Sequence, residues 1–103
     1  MFITKQLYGV KRENVMKIKS DFKLVDIADE HMIVPVGRAA VVFDGVVALS
    51  DAAYFLIKNM EQSRTKEELV ELLLKEYEVS LPVAQKDIDG LIQKLIELDL
   101  VEE

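Results

Sequence analysis

Apolar residues recur at two different periods along this chain, and the change from one to the other divides it. In FKLVDI, residues 22–27, apolar and polar positions alternate, which predicts a half-buried strand with Phe22, Leu24 and either Val25 or Ile27 facing a core. After the polar break Ala28-Asp29-Glu30, residues 31–36 (HMIVPV) predict a second strand. Pro35 has no N–H to give a ladder, so it belongs near a strand end or edge. Gly37-Arg38 interrupts the run. Residues 39–43 (AAVVF) and 46–49 (VVAL) are then separated by Asp44-Gly45. That two-residue connection suits the positive φ a type I′ turn needs at both central positions, and it predicts a hairpin.

Beyond residue 50 the period lengthens to three and four. Ser50 can cap a helix over residues 51–60, with Asp51 where the helix dipole favours negative charge and Phe55, Leu56 and Ile57 as its apolar body. Thr65 and Glu68 are spaced as a capping box ahead of Leu69, Leu72, Leu73 and Tyr77. A third helix begins near Ser80-Leu81-Pro82, a cap followed by an early proline, and carries the stripe Ala84, Ile88, Leu91, Ile92 and Leu95. Leu98, Leu100 and Val101 continue into the tail. Strands followed by helices predict an α+β fold. The helix-turn-helix spacing with an attached hairpin predicts a winged helix-turn-helix: a small antiparallel three-stranded sheet or wing, then three helices.

In this reading Val46, Val47, Ala48 and Leu49 form an edge strand delivered straight into a helix. Free N–H and C=O groups on an edge are either protected or there to be paired. Three occupants fit. An extended peptide could add as a further strand, its side chains entering a groove between sheet and third helix; the others are the chain's own N-terminal arm and a second copy.

Composition narrows the function classes. The 103 residues are one domain's worth, and 50% hydrophobic with 31% charged residues is a globular balance. No apolar run approaches the roughly 18 residues that span a bilayer, and residues 1–15 do not read as a secretory signal, so no membrane partner is expected. The absence of cysteine excludes disulfides and thiol chemistry and fits a reducing, cytoplasmic setting. Net charge is −6, unevenly spread: residues 1–23 carry six Lys and Arg against Glu13 and Asp21, and the remainder is strongly acidic. An acidic body disfavours nucleic acid, whose binding depends on neutralising phosphates. Residues 1–20 read as a basic, poorly ordered N-terminal extension to a domain over residues 21–103, and Met16 offers an alternative start.

Nothing in the chain forms a catalytic constellation. His31 is the single histidine and reads as a surface or strand residue. Asp87 and Asp89, two apart on a helix, point to different faces. Ser50 and Ser80 are accounted for as caps, and the four glycines make no phosphate-cradling pattern. No catalytic residue, metal ligand or cofactor is expected, and the chain does not read as an enzyme.

The order and spacing of these segments resemble the PqqD-like proteins, also called RiPP recognition elements. The matching stretches are FKLVDI, HMIVPVG, FDGVVALSDAAYFLI, TKEELVELLLKEYEV and AQKDIDGLIQKLIELDLV, from Phe22 to Val101. Leu49-Ser50-Asp51 entering an apolar helix is the strongest local match, followed by Thr65 with Glu67-Glu68-Leu69, Glu76-Tyr77, Ala84 and Asp87-Ile88. The family often has Asn where Ser50 stands, Gly near Ala53 and a large aromatic near Ile57.

The resemblance implies a non-catalytic winged-helix module. It would bind the leader segment of a ribosomally synthesised precursor peptide and present it to a modifying enzyme, of the radical S-adenosylmethionine type in the pathway to pyrroloquinoline quinone. It also implies strand addition to Val46, Val47, Ala48 and Leu49, with the leader lying against the third helix. Asp87, Leu91 and Lys94 are the expected groove-lining residues; the opposite flank, Asp89 and Ile96, stays open. The module would be a monomer or weak homodimer. Two other readings are a winged-helix DNA-binding regulator and a dimerisation or scaffold domain. For DNA, the third helix and tail offer only Lys86 and Lys94 against six acids from Asp87 to Glu103, which argues against it.

Overall fold

The computed structural model describes residues 15–42 and 45–102. Its elements are β1 (Val15–Ile18), β2 (Phe22–Ile27), β3 (Glu30–Pro35), α1 (Ala39–Val42), β4 (Val47–Leu49), α2 (Asp51–Asn59), β5 (Arg64–Thr65), α3 (Lys66–Glu76), α4 (Leu81–Glu97) and β6 (Val101–Glu102). The fold is α+β. One three-stranded antiparallel sheet has the order β2-β3-β4, and a second, smaller one has the order β5-β1-β6.

The helices begin where local chemistry dictates. Ser50 Oγ accepts from Ala53 N–H at 3.1 Å and Ser80 Oγ from Val83 N–H at 3.4 Å. Thr65 and Glu68 form both halves of the capping box, at 2.8 and 3.1 Å. The end of α4 is also built by backbone geometry. Asp99 takes φ +59°, and the N–H groups of Asp99 and Leu100 reach back to Ile96 O and Leu95 O. This is a Schellman closure with an aspartate in the place glycine usually takes. Helix α2 packs on β3 and β4, α3 packs on α2, and α4 packs on α3; Ile33, Ile57, Met60, Leu69, Ile88 and Leu100 are fully buried in the core they share.

Three expectations are corrected. The hairpin across Asp44-Gly45 does not exist: Ala39–Val42 is a short helix, entered through Gly37 at φ +57° and turn bonds from Ala39, Ala40 and Val41 N–H to the residues three back. Strand propensity is realised through packing against neighbours. Val41 and Val42, 83% and 82% exposed, gain little from packing, and two alanines favour the helix. Phe43 and Asp44 lie outside the described residues. The tight two-residue hairpin is instead β2–β3, where Ala28 (φ +52°) and Asp29 (φ +67°) bridge the pair Ile27 and Glu30.

The basic extension also ends earlier than residue 20. Val15–Ile18 is the middle strand of the smaller sheet, with Met16 and Ile18 buried. Ile18 N–H donates to Met60 O at 2.8 Å and Lys19 N–H to Leu100 O at 2.9 Å, which ties this strand to the ends of α2 and α4. Residues 1–14 lie outside the described residues. Finally, Val101 is not simply tail: with Glu102 it pairs with β1. No helix among the described residues is long and apolar enough to cross a membrane.

Candidate functional site

The register of the larger sheet decides which backbone groups are available. Val36 N–H donates to Asp21 O at 2.8 Å, one step beyond the pair Phe22–Pro35. In an antiparallel ladder, alternate residues turn both backbone groups to opposite sides. Even-numbered residues of β3 therefore face β2, while His31 and Ile33 face β4 and bond with their partners Leu49 and Val47. Pro35 then points its nitrogen past the end of β4, where no N–H is needed. By the same alternation Ala48, between Val47 and Leu49, turns its N–H and C=O away from the sheet. Among the described residues no strand pairs with that side of β4.

Cross-strand partners share a face, so Leu24, Ile33 and Val47 make one inward row and Asp26, His31 and Leu49 the next. His31 is the half-buried polar residue of this row, beside the exposed Asp26. Its Nε2–H donates to Asp51 Oδ1 at 2.8 Å, and its ring stacks on Tyr54 with centroids 4.3 Å apart. Nδ1 lies 3.4 Å from Asp26 Oδ1, without the alignment of a hydrogen bond. Both contacts to α2 hold its first turn against β3, directly after β4 ends.

A groove of about 350 Å3 opens beside that junction. Ser50, Ala52, Ala53 and Leu56 form one wall, Lys86, Asp87, Gly90 and Leu91 of α4 the other, and Leu73 of α3 lies at its base. The buried residues Ala84, Ile88 and Leu95 divide the surface of α4 into two flanks. Asp87 and Leu91 lie on the flank facing α2. Asp89 lies on the opposite flank and pairs with Lys66. Lys94 is exposed one turn beyond Gly90 and is outside the groove lining, and Ile96 is exposed on the Asp89 side.

Of the predicted strand residues, Val47 and Leu49 are half-buried on the inner face and Ala48 is exposed. Val46 lies just before the strand and is exposed. Lys86, Gly90 and the alanines Ala52 and Ala53 escaped the reading of the sequence. Their signal was present, since residues 86, 87, 90 and 91 follow the i, i+3, i+4 spacing of one helix face. Small residues carry no hydrophobic mark, however. Among the described residues no group of His, Cys, Asp and Glu side chains converges as metal ligands.

An α+β domain with one open sheet edge running into a groove between two helices is the class these features define. The family model for coenzyme PQQ synthesis protein D (PqqD) matches residues 30–101, and the chain belongs to that family. No curated protein matches it. Its fold is similar to TbiB1 in complex with the TbiA(beta) leader peptide, at 21% identity over 84% of this chain and 94% of that one, with a TM-score of 0.67. It is also similar to lasso peptide synthetase B1 complexed with the leader peptide, at 18% identity over 85% and 98%, with a TM-score of 0.67. The third is the PqqD truncation of Methylobacterium extorquens PqqCD, described as a stand-alone RiPP recognition element, at 14% identity over 95% and 99%, with a TM-score of 0.69. At these identities the likeness is one of fold.

Proposed function

We propose that this protein is a non-catalytic recognition module for the leader segment of a ribosomally synthesised precursor peptide, which it presents to a maturation enzyme of the radical S-adenosylmethionine type. The observation that carries the reading is the open side of β4. Ala48 offers an outward N–H and C=O, and the strand runs into the groove walled by Ala53 and Gly90. A leader in extended form would add there as a fourth strand, gaining backbone bonds along the edge and side-chain contacts with Asp87 and Leu91. Membership of the PqqD family and a fold shared with two leader-peptide complexes support the same assignment. Lys94 would meet the leader only beyond the groove itself.

The test is an NMR titration of the labelled chain with synthetic leaders of precursor peptides encoded beside its gene. Amide shifts confined to residues 46–50 and to the α2-facing flank of α4 are expected. Self-association through β4, with no leader producing shifts at high micromolar concentration, would sink the assignment and make that edge a dimer interface.

A further inference from the structure

Gly90 sits in the middle of the 17-residue helix α4, where glycine is unfavourable because it adds backbone entropy and contributes no packing. The usual structural reasons for tolerating it are missing. Its φ is that of an ordinary helix, and a Cβ built there would meet nothing within 4 Å. That empty space is the groove beside β4, opposite the equally small Ala52 and Ala53. Resting on the leader-binding reading, we propose that Gly90 is the specificity-determining residue of this groove: its missing side chain keeps open a subsite for one large apolar side chain of the bound strand.

The register says which residue of the strand enters. Ala48 turns its backbone groups outward, so Leu49 faces an added strand as a non-hydrogen-bonded pair, where side chains approach more closely. The residue opposite Leu49 shares the inner face with Leu49 and His31 and extends that row toward α2 and α4. There the subsite has an apolar lining in Leu56, Leu73 and Leu91, and its charges, Lys86 and Asp87, both lie on the α4 wall. A volume of about 350 Å3 is at the small end of ligand pockets, suited to a single Leu, Ile, Met or Phe side chain together with its backbone.

The probe is a displayed library of random 12-residue peptides selected against the full chain. Selected peptides are then measured against wild type, Gly90→Leu and Gln85→Leu, the last lying on the other side of α4 against α3. We expect one enriched large apolar position whose replacement by alanine weakens binding at least tenfold. Gly90→Leu should weaken it by a similar factor while melting no lower than wild type, and Gln85→Leu should bind as wild type. Peptides that shift the amides of residues 47–49 yet bind Gly90→Leu equally, or share no apolar position, would overturn this inference and leave strand addition standing. Selection of no peptide that shifts those amides would overturn strand addition and this inference with it.

Discussion

His31 Nε2 and Asp51 Oδ1 lie 2.8 Å apart, joining the middle strand of the larger sheet to the first turn of the helix that follows its edge strand. The pair is unequal: the His31 side chain is 18% exposed and that of Asp51 85%. An ion pair or hydrogen bond with so exposed a partner is worth under about 1 kcal/mol. The imidazole has in addition its stacking on Tyr54 and its place in the inner row. Asp51→Ala should therefore cost under about 1 kcal/mol, while His31→Ala, which also leaves a gap, should cost about 1–3 kcal/mol. Urea denaturation of the two variants separates them.

The parity of β4 makes adjacent positions respond differently to proline. At Ala48 the nitrogen faces outward, so Ala48→Pro removes no bond to β3, whereas Val47→Pro removes one donated to Ile33. Ala48→Pro is expected to remain folded and lose leader binding. Val47→Pro is expected to lower the melting temperature much further. Thermal melts paired with the peptide titration give both readouts, and equal destabilisation would mean the parity is wrong.

The β2–β3 turn holds an alanine and an aspartate at positive φ. Non-glycine residues pay of order 1 kcal/mol for the left-handed region, and Asn-Gly is the favoured pair in such a turn. The double variant Ala28→Asn, Asp29→Gly should raise stability by about 1 kcal/mol, seen as a higher urea midpoint at unchanged slope.

The place of β1 in the core can be weighed against an outward residue of the larger sheet. Ile18 is buried and Ile27 is 58% exposed. Ile18→Ala should cost about 2–4 kcal/mol through lost burial and the cavity left behind, and Ile27→Ala under about 1 kcal/mol. Chemical denaturation of both measures the difference. Near-equal values would place Val15–Ile18 outside the cooperative unit.

What could be read from the chain alone is what depends on neighbours three or four residues away. The caps at Ser50, Thr65 and Ser80, the helix stripes through Leu69–Leu73 and Ala84–Leu95, and the alternation in Phe22–Ile27 are settled by short-range hydrogen bonds and period. So α2, α3, α4, β2, β3 and the α+β class were legible, and so was the strand at Val47, Ala48 and Leu49, whereas α1 had read as a strand. Asp44-Gly45 shows the limit. The dipeptide permits a tight hairpin, but a strand needs a partner, and the place beside β3 was already taken by β4 from across residues 36–46. The smaller sheet was beyond reach for the same reason. Val15–Ile18 pairs with residues about 50 and 85 positions away, and a four-residue strand carries little pattern of its own. Asp87 and Leu91 could be placed on one side of α4 from spacing, but only the tertiary structure put that side, and not that of Asp89, across a groove from Ser50 and α2. Gly90 is the plainest case. In the sequence it is a weak point in a helix, and only the space in front of it, made by residues almost 40 positions earlier, gives it a meaning.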